Sequence, residues 1–140
     1  MAMSIRRVEM TMRAVDMSYD ELTPKEAQCL KENGWPLVIQ CLLALPRTGP
    51  EQPAKRIVSL RNALENGLPT AGYIVVGGSR PGPEYINLGR EGVPDDYWAA
   101  LKFVAVDVET PGVNVDEIIA AVQRVQALGK MALIYTNANI

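Results

Sequence analysis

Phe103-Val104-Ala105-Val106-Asp107-Val108-Glu109 is an apolar run that ends in two carboxylates. A run this apolar, set between helical patterns, reads as a parallel strand buried on both faces; a strand with one wet face would alternate polar and apolar residues. Successive strand side chains point to opposite faces, so Asp107 and Glu109 share one face, roughly 7 Å apart along the chain. Acids at the carboxyl end of such a strand stand where open α/β sheets and barrels keep their active sites. Acid–base chemistry is therefore the first functional expectation.

Outward from this run the chain alternates between strand-like and helix-like segments. Arg13 to Met17 reads as a first strand, ending at Ser18-Tyr19-Asp20. Thr23-Pro24-Lys25-Glu26 is a helix start, with Thr as N-cap, Pro at the first helical position and Glu at the third. That helix runs to about Asn33 and stops at Gly34. Leu37 to Leu43 is a second strand, and Ala54 to Asn66 a second helix ended by Gly67. Thr70 to Val76 is a third strand. It leads into Gly77-Gly78-Ser79-Arg80-Pro81-Gly82-Pro83, which lacks the spacing of a phosphate-binding loop and reads as a flexible surface loop. Glu84 to Leu101 carries Gly92 and Pro94 and is expected to hold one short helix, near Asp95 to Leu101. Val115 to Leu128 is a helix with Ile118, Ile119, Val122, Val125 and Leu128 on its apolar face. Met131 to Tyr135 is the fifth strand. Four βα units and a closing strand imply one α/β domain over residues 1–140, with a parallel sheet and right-handed crossovers.

Composition narrows the chemistry. The chain has 140 residues, 48% hydrophobic and 21% charged, which suits a single globular domain with a sizeable core. Its formal net charge of −2 argues against a binder of nucleic-acid phosphates. It contains no histidine, which excludes histidine triads, histidine zinc sites and histidine general bases. Proton transfer near neutral pH must fall to carboxylates, Tyr, Lys or Cys. Two cysteines, Cys29 and Cys41, are too few for a disulfide framework or a cysteine-only zinc site, and both read as small buried residues. No metal or other cofactor is expected. Residues 1–12 lack the apolar stretch of a secretory signal, and no apolar run approaches the ~18 residues that span a bilayer. The expectation is a soluble, cytoplasmic protein with no membrane or nucleic-acid partner.

Asp16, Gln40, Tyr73, Asp107, Glu109, Tyr135 and Asn137 all fall at or near strand carboxyl ends. For Gln40 and Asn137 ordinary solvation of a strand end is explanation enough. For Asp107 and Glu109 it is weaker, because like charges on one face of a buried strand repel and are costly to desolvate.

Several stretches resemble the glycoside hydrolase family 25 lysozymes. Val15-Asp16-Met17-Ser18 is similar to that family's first-strand D-V-S. Residues from Leu30 to Gln40 resemble its G-x-x-F-V-I-x-K second strand, and the approach from Asn62 to Tyr73 resembles its N-x-x-x-A-x-x-A-G-L-x-x-G-x-Y. Val106-Asp107-Val108-Glu109 resembles its L-D-x-E fourth strand, and Ile134-Tyr135-Thr136-Asn137 its I-Y-T-S fifth. The similarity is collinear from about Ala14 to Ile140, and a related group of glycoside-hydrolase-like barrels fits about as well. The resemblance implies a (β/α) TIM-barrel-type fold, here incomplete, with about five parallel strands and four helices. It implies a muramidase-like hydrolase acting on peptidoglycan-type β-1,4-linked amino sugars. Glu109 would be the general acid, Asp107 its supporting carboxylate, and Asp16 a further acid of the site. Tyr73 would line the sugar subsite, and Tyr135 and Asn137 would join it in contacting substrate.

The departures from that pattern are specific. The family has about eight strands, and its final-strand acid has no counterpart among these five. Its charged second-strand end is replaced by Gln40-Cys41-Leu42-Leu43-Ala44, and aromatic residues make up only 6% of the chain. Five strands cannot close a barrel, so a sheet edge stays open. A fragment of a longer product, a homo-oligomer covering that edge, and an open-sheet derivative each fit. So do a non-catalytic carbohydrate-binding relative and an unrelated α/β domain working through protein–protein association.

Overall fold

The computed structural model describes residues 14–136. Within them ten elements follow one another: β1 (Ala14–Met17), α1 (Pro24–Glu32), β2 (Leu37–Leu43), α2 (Arg56–Glu65), β3 (Thr70–Val75), α3 (Gly82–Arg90), α4 (Asp95–Ala100), β4 (Leu101–Val108), α5 (Val115–Ala127) and β5 (Ala132–Thr136). The five strands form one sheet in the order β1-β2-β3-β4-β5, and every neighbouring pair is parallel. The protein is thus α/β with an all-parallel five-stranded sheet and five helices. Arg13, expected to open the first strand, lies outside the described residues, as does Asn137.

Sequential strand order, with right-handed crossovers, sends every connecting helix to the same side of the sheet. The packing agrees. Leu42, Ile74, Val104, Val106 and Val108 share one buried cluster with Leu60 of α2, Tyr85 and Ile86 of α3, Trp98 of α4 and Val122 and Val125 of α5. Val38 meets Ala27 of α1 and Ala63 of α2 in a second cluster. The opposite face forms a third cluster made of strand residues alone: Leu37, Ala71, Phe103 and Ala105, joined by Ala14, Ile39, Tyr73 and Leu133. Both faces of β4 are therefore buried from Phe103 onward, which is why its sequence is apolar from Phe103 to Val106.

Local signals explain most boundaries. Thr23 accepts from the Glu26 N–H, and Glu26 reaches back to the Thr23 N–H, completing the capping box that opens α1. Gly34 and Gly67 take φ of +72° just past α1 and α2, a left-handed turn that residues with a Cβ adopt only at a cost. Asn114 caps α5 by accepting from the Asp116 N–H at 2.7 Å. On α5, Val122 and Val125 are buried, with Ala121 beside them, while Ile118, Ile119 and Leu128 are half-buried.

The helix count needs correcting from four to five. The segment between β3 and β4 holds two helices, not one, and the first begins inside the stretch read as a surface loop. Pro83 stands in the first turn of α3, where its missing N–H costs nothing, and Glu117 accepts from the Gly82 N–H. Gly89, which lowers helix propensity, is required by packing. A Cβ there would come within 2.5 Å of Ile74 Cδ1, so the glycine lets α3 lie close on the sheet. Leu101, expected at the end of α4, instead begins β4. Gln40 is also corrected: its side chain is wholly buried, and its amide donates to the carbonyls of Ser18 and Cys41 at 3.2 and 3.0 Å. Cys29 is exposed on α1, whereas Cys41 is buried as expected.

Candidate active site

The face opposite the helices changes character along its length. Toward the amino ends of the strands it is apolar, through Leu37, Ala71, Phe103 and Ala105. Toward the carboxyl ends it carries Asp16, Cys41, Tyr73, Asp107 and Tyr135. The register brings these into adjacent rows. Cys41 pairs with Tyr73, and Tyr73 with Ala105. In the next row Val75 pairs with Asp107, and Asp107 with Tyr135. Paired residues of parallel strands share a face, so a side-chain cluster follows from strand order and alternation. Beyond Cys41 the β2–β3 register shifts, and Leu43 meets Ile74 on the helix-covered face. Cys41 is thus the last β2 residue before this irregularity on the site face.

Asp107 is the centre of the group. It is 4% exposed, and no N–H or O–H of a described residue donates to its Oδ1. Glu109, one residue past the end of β4 and exposed, lies beside it. The Asp107 carboxyl is pushed up to about 7, first by burial, then by the hydrogen bond and charge of Glu109, and then by the charge of Asp16. Asp107 is held by its backbone as well, since the Val76 N–H donates to its carbonyl at 2.9 Å.

Asp16 approaches the pair from β1. Partial burial raises its pKa, a hydrogen bond from Tyr73 opposes that rise, and the charge of Glu109 adds to it. The Tyr73 hydroxyl is moved far above the usual phenol range by burial, with Cys41 and Asp16 adding to the shift. It therefore stays a neutral donor. Cys41 is pushed up to about 11, mainly by burial, so at neutral pH it is a thiol and not a nucleophilic thiolate.

The structure thus brings together Asp107, Glu109, Asp16 and Tyr73 among the residues singled out from the sequence. Tyr135 joins them by register on β5 and is 60% exposed. Cys41 is the member that sequence reading missed as part of the site. Alternation from Leu37 and Ile39 could have assigned its face, but its proximity to Tyr73 needed the strand order. The residues after β3 contribute elsewhere: Arg80 lines a shallow pocket with Glu84, Asn87, Leu88 and Glu91 along α3, apart from the acids. Among the described residues no group of three or more His, Cys, Asp or Glu is arranged to hold a metal ion. No helix among them is long and apolar enough to cross a membrane.

The chain matches no known protein-family model and no curated protein.

Proposed function

We propose that the protein is a glycoside hydrolase of lysozyme-like type, acting on β-1,4-linked amino sugars of the peptidoglycan kind, with the site built on the Asp107–Glu109 pair. The observation that carries this reading is the buried Asp107, titrating at about 7 beside an exposed Glu109 at the carboxyl end of a parallel strand. Glycoside cleavage needs one carboxyl that donates a proton to the leaving oxygen and a second that supports the positive charge developing on the sugar ring. Glu109, being exposed, is the group that can touch the glycosidic oxygen and donate to it. Asp107, out of solvent, has its proton affinity raised toward neutral pH by burial and by the neighbouring acids, and once ionised it places negative charge beside the sugar ring. Asp16 and the neutral Tyr73 hydroxyl complete a polar floor for the sugar, and the exposed Tyr135 ring offers a surface for stacking.

The architecture supports the same reading. Sequential parallel strands with their helices on one side are the repeating unit of (β/α) barrels, whose active sites lie at the strand carboxyl ends. Among the described residues β1 and β5 each pair on one side only. On β5, Ile134 is 38% exposed, and the open edge suits covering by a second copy of the chain. Sedimentation would show a species larger than one chain if this edge is covered by self-association; a monomer at high concentration refutes it.

The test of the hydrolase reading is release of reducing ends from purified peptidoglycan. Glu109→Gln should lower the rate by about 10²–10⁴-fold, the usual contribution of a general acid, while circular dichroism and unfolding midpoint stay put. An unchanged rate in that variant refutes the assignment. Sugar binding by the wild type without bond cleavage makes the protein a non-catalytic carbohydrate binder instead.

A further inference from the structure

Among the described residues five large hydrophobic side chains are exposed. Four of them, Val115, Met131, Ile134 and Tyr135, belong to α5, to β5 or to the residue leading into β5. Among the described residues β5 pairs with β4 alone. It carries no charged residue and no proline, the features with which sheet proteins usually guard an open edge. The other side of the sheet differs. No large hydrophobic side chain of β1 or α1 is exposed, β1 carries Asp16, and α1 shows Lys25, Glu26, Lys31 and Glu32 to solvent.

The apolar surface continues from β5 onto α5. Ile134 pairs with Val106, so it lies on the helix-covered face, where it is 38% exposed. On α5, Glu117 and Ala121 lie against Gly82 of α3, and Arg124 donates to Asn87 of the same helix. At about 3.6 residues per turn, Val115 and Ile119 stand on the opposite flank of α5. α5 packs on β4 and β5 while α3 packs on β2 and β3, so that flank points outward beyond β5. Val115 is 67% exposed and Ile119 half-buried. Ile134, Val115 and Ile119 thus form an uncharged shelf beside an open strand edge, able to take a strand and a helix together.

A second copy of the chain brings both. We infer that the protein is a two-fold dimer in which β5 pairs antiparallel with β5 of the partner and α5 packs against α5. A register centred on Ile134 sets that residue beside its own copy on the helix side, and Leu133 beside the partner's Tyr135 on the site side. Because α5 packs on both β4 and β5, its axis and that of the partner helix stand two strand spacings apart, about 10 Å. Packed helices meet at about 8–10 Å, so the two shelves close on each other without rearrangement. The shelf residues carry no charge, so self-pairing meets no repulsion from them. A copy arriving by its β1 edge would lay the charged surface of α1 on Val115 and Ile119. It would also leave its own β5 open to recruit a further chain. The pairing uses the strand edge, and Tyr135 keeps its ring open on the site side. This gives a geometry to the self-association suggested for β5 above, and it stands independently of what the site cleaves.

The test is sedimentation velocity of the full chain, from micromolar to near-millimolar concentration. The expected result is a dimer that grows no larger as the concentration rises. Ile134→Lys brings two ammonium groups together at the axis and should raise the dimer dissociation constant by about a hundredfold or more. Val115→Lys, at an exposed position where the fold is not at stake, should raise it by about tenfold. Circular dichroism checks that both variants are folded. In a Cys29→Ser background, Ile134→Cys should give a disulfide-linked dimer under mild oxidation. Mixed with Val15→Cys chains of the same background, it should give no link between the two variants. A monomer at the highest concentration, a dimer untouched by both lysine variants, growth into higher oligomers, or a link between the Ile134→Cys and Val15→Cys chains overturns the inference. None of these outcomes alters the reducing-end assay that tests the hydrolase reading, so the two fail separately.

Discussion

Raising the pH from 4.5 to 8 should destabilise this protein through one side chain. Asp107 titrates at about 7 in the folded chain, against 3.8 for a carboxyl in water. Between those values the folded state holds a proton that the unfolded state has released. Stability is therefore full below about pH 4, declines as the pH rises, and levels off above about pH 7. At 1.36 kcal/mol per tenfold change in proton affinity, the interval corresponds to about 4 kcal/mol. Asp107 is 4% exposed, so solvent screening removes little of this, but part of the shift comes from its interaction with Glu109 and Asp16, and about 2–4 kcal/mol is the expected loss. Other carboxyls titrate at the acid end, so the informative quantity is a difference between two proteins. Asp107→Asn keeps the shape, removes the charge and supplies an N–H to Glu109. Urea unfolding followed by circular dichroism, at pH 4.5, 6, 7 and 8, should show the variant gaining about 2–4 kcal/mol on the wild type across the series. A difference constant to within about 0.5 kcal/mol, the scatter of ordinary surface substitutions, would refute the argument that Asp107 is desolvated and coupled.

Arg56 is 3% exposed and bonds the carbonyls of Leu42 and Gly89 at 3.1 and 2.8 Å, together with that of Glu91. Arg56→Ala leaves these buried acceptors without their donor and should cost about 3–5 kcal/mol in urea unfolding, with Arg56→Lys recovering only part. Thr23→Ala removes half of the capping box of α1 and should cost about 1 kcal/mol by the same assay, while Asp and Ser at that position should keep most of the stability.

Regular structure was largely legible because the chain states it in local chemistry. Leu37 to Leu43 reads as a strand from its apolar run, and the first helix reads from Thr23, Pro24 and Glu26; both are found with those boundaries or within one residue of them. The helix from Gly82 to Arg90 was hidden by its own composition. Two glycines and a proline look like loop chemistry until Gly89 is seen against Ile74, and that contact is made across the fold. Gln40 and Arg56 were unreadable for a related reason. Gln40 donates to the carbonyl of Ser18 and Arg56 to those of Leu42 and Gly89, all from other segments of the chain, so nothing local distinguishes them from solvated residues. The site was half legible. Alternation brought Asp107 and Glu109 to one face, but the adjacency of Cys41 to Tyr73 and of Asp107 to Tyr135 depends on which strands are neighbours.

The sequential order of the strands bears on how the chain reaches this fold. Ala14 meets Leu37, Val38 meets Thr70, Thr70 meets Leu101 and Val104 meets Ala132, so each new strand closes a loop of only about 20–30 residues onto the strand laid down before it. No pairing waits for a distant part of the chain. Topologies dominated by such short closures fold faster than sheets whose central strands come from opposite ends of the sequence. The sheet can grow by stepwise addition from any nucleated strand pair, and the acids at the end of β4 come together with Asp16 only when that growth has spanned all the strands between them.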